Sequence, residues 1–198
     1  MQGESRRAFI GRAARTQRAG PPFPEREHGS SLMETMVWIG IVALTIGLAA
    51  PSLLEVQDRY RLEGRASELA TDLHYVRSQA LARNQPLRIS FNSDAAGTCY
   101  VLHTGAADDC SCVSNGTAQC RNPDNAIFKS VGFAAGQRIS LHSNVISMLF
   151  DPGRGTTTPA GSITLTGASG KTIRQIVNIA GRTRTCSPEG SVSGYKTC

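Results

Sequence analysis

The sequence predicts an α+β fold in which one long N-terminal helix packs across an antiparallel β-sheet. Three observations predict it: an uncharged run from Met36 to Leu54, an apolar stripe at helical spacing from Leu62 to Ala80, and short β-type runs beyond residue 85. The 198 residues allow one ordinary domain plus a helix or tail. With 40% hydrophobic and 18% charged residues, the composition is that of a folded chain.

Residues 1–28 are Arg-rich, carry Pro21, Pro22 and Pro24, and show no apolar period, as a cytoplasmic leader does. The run Met36–Leu54 then holds nineteen residues without a charge. At ~1.5 Å per residue it extends roughly 28 Å, close to the hydrocarbon thickness of a bilayer. The Arg excess before it sets the N-terminus on the cytoplasmic side and the rest of the chain outside. Two other export readings fail on position. Ser5-Arg6-Arg7-Ala8-Phe9-Ile10 has the look of a twin-arginine signal, but 28 residues separate Arg7 from Met36. Leu48-Ala49-Ala50 is a poor signal-peptidase site, with a large residue at Leu48 and Pro51 after the cut.

The helix continues past the uncharged run. Leu62, Ala66, Leu69, Leu73, Val76 and Ala80 recur at alternating spacings of four and three. Between them Arg59, Glu63, Arg65, Glu68, Asp72 and Arg77 form a charge-balanced face. Pro51 should bend this long helix without ending it, and Pro86 should end it near Asn84. Beyond lie the β-type runs 87–91, 99–103, 127–131, 138–141, 145–150, 162–166 and 173–179. Gly, Asn, Asp and Pro clusters such as Asp151-Pro152-Gly153 separate them. Ser162-Ile163-Thr164-Leu165-Thr166 alternates as a half-buried strand does.

All six cysteines (99, 110, 112, 120, 186 and 198) follow the uncharged run, which points to three disulfides in an oxidising compartment. Cys186 and Cys198 are expected to pair and hold the C-terminal tail, a closure worth roughly 2–3 kcal/mol. Cys99, Cys110, Cys112 and Cys120 leave three pairings open, of which a Cys110–Cys112 bond is a poor one. A zinc site on Cys110, Cys112 and Cys120 is disfavoured, since no His stands at finger spacing. No metal or cofactor is expected. Nor is catalysis: the histidines at 28, 74, 103 and 142 are scattered, and no nucleophile, calcium-loop or phosphate-loop pattern accompanies them. Net charge is +6, and residues 125–198 hold eight Lys/Arg against Asp151 and Glu189.

One residue is out of place on physical grounds. Glu34 stands two residues before the uncharged run, and a carboxylate in hydrocarbon costs about 2.5–3.5 kcal/mol, so such a group is usually paired. Gly29-Ser30-Ser31-Leu32-Met33-Glu34, followed by the apolar run and Pro51, resembles the cleavage and methylation signal of type IV prepilins and type II secretion pseudopilins. The resemblance implies that a prepilin peptidase cuts between Gly29 and Ser30 and that the Ser30 amine is methylated. Ser30 stands where the family usually has Phe. Glu34 would then pair with a neighbour's N-terminal amine and set axial register, with Pro51 at the second hallmark position for assembly.

Further on, Glu68-Leu69-Ala70-Thr71-Asp72-Leu73-His74-Tyr75-Val76-Arg77-Ser78-Gln79-Ala80-Leu81-Ala82-Arg83-Asn84 resembles the GspH/FimT family of minor pseudopilins and pilins. So does Ile179-Ala180-Gly181-Arg182-Thr183-Arg184-Thr185-Cys186. The implied fold is pilin-like. The implied organisation is a leader over 1–29, a transmembrane helix over 30–54, its amphipathic continuation over 55–84, and a periplasmic β-rich domain over 85–198. The implied partners are other pilin or pseudopilin subunits, the prepilin peptidase and the inner membrane, with the subunit near the tip of a pseudopilus or pilus. For FimT-like members the resemblance implies DNA binding in natural transformation. Here that reading falls on Gly181-Arg182-Thr183-Arg184, with Lys171, Arg174 and Lys196 as further cations for phosphate contacts of low base specificity.

Overall fold

The computed structural model describes residues 31–198, the side chains of residues 49–52 excepted. Helix α1, Leu32–Arg83, runs through two compact units, one ending at Thr45 and the other comprising Ile46–Cys198. In the first unit the helix begins where the Glu34 amide donates to the Ser31 carbonyl (2.9 Å). The Thr35 and Thr45 hydroxyls bond back to the carbonyls of Leu32 and Val42 at 2.8 and 2.9 Å, so neither adds polar demand to an apolar surface.

In the second unit the stripe predicted from spacing is the core side of α1. Leu62, Ala66, Leu69, Leu73, Val76 and Ala80 are each no more than 1% exposed. Each fully buried Leu there contributes roughly 1.5–3 kcal/mol. The helix stops at Arg83 because Asn84 turns into the left-handed region (φ 49°) just ahead of Pro86.

Eleven strands follow: β1 (Leu87–Asp94), β2 (Gly97–His103), β3 (Cys110–Cys112), β4 (Ala118–Cys120), β5 (Ile127–Ala134), β6 (Ile139–Ser143), β7 (Ser147–Phe150), β8 (Thr157–Thr158), β9 (Gly161–Gly167), β10 (Thr172–Val177) and β11 (Thr183–Cys186). All pairings within the sheets are antiparallel. They form not one sheet but two, ordered β5-β2-β1-β7-β8 and β11-β10-β9-β6, with a separate β3-β4 hairpin. The chain leaves the first sheet after β5, pairs β6 with β9, and returns with β7. Alternation along a strand cannot reveal this exchange, because both sheets bury one face against the same helix. Ile89, Tyr100, Met148 and Phe150 of the first sheet share one cluster with Leu141, Ile163, Leu165 and Ile173 of the second and with the α1 stripe.

Candidate assembly and nucleic-acid surfaces

The N-terminal part of α1 exposes apolar side chains all round the helix, with Glu34, Thr35 and Thr45 as its polar members. Leu32, Met33, Met36, Val37, Trp38, Ile39, Ile41, Val42, Leu44, Ile46 and Leu48 are all exposed, as are Leu53, Leu54 and Val56. Water penalises such a sleeve at roughly 25 cal/mol per Å², so it needs lipid or protein around it. Among the described residues no single helix is long and apolar enough to cross a membrane; the stretches Leu32–Leu48 and Leu53–Arg83 meet the requirement together, by length and composition alone. Glu34 is exposed in the first turn. The Pro51 backbone is helical, while Gly29 and Ser30 lie outside the described residues.

The basic segment forms one edge of the four-stranded sheet. Strand β11 pairs only with β10, placing Arg184 opposite Ile176 and Cys186 opposite Arg174. Residues on one face alternate, so Arg184 and Arg174 are diagonal neighbours on the face turned away from α1. The Arg174 Nε donates to Thr164 Oγ1 (3.0 Å), and Arg184 Nη2 reaches the Cys198 carbonyl (3.4 Å). Arg182 lies in the preceding turn, its amide donating to Asn178 Oδ1 (2.9 Å). Arg182 and Arg184 are exposed, and with Ile176, Asn178 and Thr183 they line a shallow groove of about 410 Å³.

Gly181 opens this turn at φ 69°, and a Cβ there would collide with the Gly155 carbonyl and approach Arg77 Nε to 2.9 Å. Glycine in Gly181-Arg182-Thr183-Arg184 is therefore required by packing. Exposed Lys196 sits in the tail, its carbonyl accepting from the Ser187 amide. Lys171 is not part of this group. It stands in the turn at the opposite end of β10 and gives its ammonium to Glu55 of α1 at 2.7 Å. Its charge is taken up by Glu55, whereas Arg182 and Arg184 stand exposed.

All six cysteines are bonded: Cys99–Cys112, Cys110–Cys120 and Cys186–Cys198. The first ties the β3–β4 hairpin to β2, and the second crosses the hairpin between paired residues. The third closes the tail over β11, where Val192 is buried. Among the described residues no three potential metal ligands cluster.

Sequence reasoning placed Asp72 on the solvated face, and the structure corrects this. Asp72 is 6% exposed. It accepts from the Tyr100 hydroxyl (2.6 Å) and from Lys129 Nζ (2.9 Å), which also bonds Glu68 (2.9 Å). The signal was available: Asp72 lies three residues after Leu69 and four before Val76, so a stripe of period 3.6 passes through it. Burial pulls the Lys129 ammonium down, but hydrogen bonds and charge from Asp72 and Glu68 outweigh it and hold the group above its ordinary range. Burial pushes Glu68 up, and bonds from Lys129 and Arg65 more than offset that, leaving it below the usual carboxylate range. Burial raises the Tyr100 hydroxyl, as does its bond to Asp72. His103, fully buried, bonds the Thr104 carbonyl through Nδ1 (2.7 Å) and Ser90 Oγ through Nε2 (2.8 Å). Since a carbonyl only accepts, Nδ1 carries the proton of a neutral ring.

Several known proteins are similar to this chain. Type II secretion system protein H of Xanthomonas campestris pv. campestris is 38% identical over 71 residues, which is 36% of this chain and 42% of that protein. The chain thus matches less than half the length of that curated relative. Among solved structures, the type IV minor pilin FimU of Pseudomonas aeruginosa superposes with a TM-score of 0.49 at 15% identity, covering 69% of this chain and 99% of that one. The minor pseudopilin EpsH of the Vibrio cholerae Type 2 Secretion System gives 0.46 at 13% identity, covering 64% and 97%. The family model described as Type II transport protein GspH matches residues 65–181, the span from the buried helix stripe to the glycine before the arginine pair. That match covers more than half of the sequence, so the chain belongs to the family of Type II transport protein GspH.

Proposed function

We propose that this chain is a processed, membrane-anchored minor subunit that assembles near the tip of a type II secretion pseudopilus or type IV pilus. The observation that carries the reading is the sleeve of exposed apolar side chains on α1 with Glu34 at its start. Lipid covers that sleeve before assembly and neighbouring helices cover it afterwards. A prepilin peptidase cuts between Gly29 and Ser30, and the freed amine of one subunit meets Glu34 of the next, neutralising a charge that hydrocarbon penalises. The leader faces the cytoplasm and the domain over 85–198 the periplasm, which suits three disulfides.

Two substitutions test this. Gly29→Ala should leave a longer, unprocessed chain in the membrane. Glu34→Ala should be cut and inserted but absent from sheared filaments. A mature chain that mass spectrometry finds to start elsewhere than Ser30 removes the amine from the required height and defeats the pairing.

The exposed arginine pair favours a second reading, DNA binding at the β11 edge through Arg182, Arg184, Arg174 and Lys196. Phosphate contacts of this kind weaken as salt rises. Salt-dependent retardation of duplex DNA that survives Arg182→Ala/Arg184→Ala excludes this edge as the DNA site.

A further inference from the structure

A cleft of about 550 Å³ lies between α1 and the β5–β6 turn, lined by Arg61, Gly64, Arg65, Gly136 and Arg138 among others. Its guanidiniums are held in place by carboxylates. Arg138 Nη1 lies 3.2 and 3.0 Å from the two Asp58 oxygens, and Arg61 Nη1 lies 3.8 Å from one of them. Arg65 Nη1 donates to Glu68 at 2.8 Å, with its guanidinium 5.8 Å above the Phe133 ring centroid. Each guanidinium carries five N–H donors, and these contacts engage one nitrogen of each. Three guanidiniums face two carboxylates here, and Glu68 is shared with Lys129 as well. Cations outnumber carboxylates among these groups, and several guanidinium N–H donors are left that could take an anion.

Gly64 gives an independent indication. A glycine inside a helix costs about 1 kcal/mol relative to alanine. No neighbour demands it, because a Cβ at Gly64 would meet nothing within 4 Å, and the same holds at Gly136. What the two missing side chains preserve is open room at the arginines. The height along the helix identifies the occupant. Arg61 follows Leu54, the end of the uncharged run, by seven residues, about 10 Å of rise. Helical side chains lean toward the N-terminus, and Arg stems snorkel. The Arg61 head, paired with Asp58 one turn back, therefore reaches toward the headgroup layer, which adds roughly 5–8 Å per leaflet, while Arg65 is held by Glu68 one turn further out.

We propose that this cleft binds the phosphate of a phospholipid headgroup in the periplasmic leaflet, fixing the height of the domain above the bilayer. The proposal rests on the membrane-anchored reading above. The test uses the full chain in neutral maltoside detergent, with the arginine Nε–H resonances followed by NMR. The probes are dihexanoylphosphatidylglycerol, dihexanoylphosphatidylcholine, inorganic phosphate and glutarate. The phosphatidylglycerol probe should shift Arg61, Arg65 and Arg138 saturably and more tightly than the other three. Arg61→Gln/Arg138→Gln should weaken it at least tenfold. So should Gly64→Leu, which blocks the cleft without altering a charge and replaces a poor helix former.

Absence of saturation, or binding indifferent to Gly64→Leu, overturns the proposal. Equal affinity for inorganic phosphate would make the ligand a free anion, and tighter binding of glutarate would make it an acidic protein segment; either result overturns the lipid assignment. Retention of the same chain in liposomes after alkaline extraction is scored separately. Loss of retention defeats the anchoring reading, whereas retention without headgroup binding defeats only the cleft.

Discussion

Replacing Gly181 with alanine separates what the glycine does from what the two arginines after it do. The glycine holds φ at 69°, where an L-residue pays roughly 1–2 kcal/mol. The new methyl also displaces the Gly155 carbonyl and Arg77, whose Nε donates to that carbonyl at 3.1 Å. Losing this bond adds about 1 kcal/mol, for a total of roughly 2–3 kcal/mol. With a urea slope near 2 kcal/mol/M, the midpoint should fall by about 1 M at unchanged slope. The assay is urea unfolding of the full chain in mild detergent, followed by near-ultraviolet circular dichroism. Gly181→Asn, whose residue type tolerates the left-handed region, should recover only the backbone share, because its Cβ still collides. Arg182→Ala/Arg184→Ala should stay within about 0.5 kcal/mol of the unsubstituted chain, as exposed sites do. An unchanged midpoint for Gly181→Ala would refute the packing role and return the glycine to the binding surface.

Two further outcomes follow from the buried polar groups. Lys129→Met leaves the buried Asp72 carboxylate with only the Tyr100 hydroxyl and should lower stability by about 2–4 kcal/mol; Asp72→Asn/Lys129→Met should recover part of it in a double-mutant cycle, and a fully additive pair would show that no coupling exists. His103 is held below its ordinary range chiefly by burial and further by Arg88, against opposing pulls from the Thr104 carbonyl and Asp109. Below about pH 6.5 the unfolded chain therefore binds a proton the folded chain refuses, so stability falls toward acid by at most about 1.4 kcal/mol per pH unit. His103→Gln should flatten the midpoint between pH 7 and 5.5, and an unaltered slope would exclude His103 as its source.

The amphipathic stripe, the helix end at Asn84 and most strand positions were legible in the sequence, because each depends on a local period or on a stereochemical stop. The sleeve on α1 and Glu34 before it were legible for the same reason: an uncharged run and a misplaced carboxylate are visible without contacts. Only tertiary structure divided the strands between two sheets, since both bury one face on α1 and alternation is blind to which partner lies beside a strand. It alone gave the inward Asp72 its partners, Tyr100 and Lys129, which are distant in sequence. It also chose among the open cysteine pairings, removed Lys171 to Glu55, and joined Arg61 and Arg65 to Arg138 around one cleft. A sequence fixes what each segment can bury along its own length, while the fold decides which distant charges and thiols come within a few ångströms, where the interactions that settle them act.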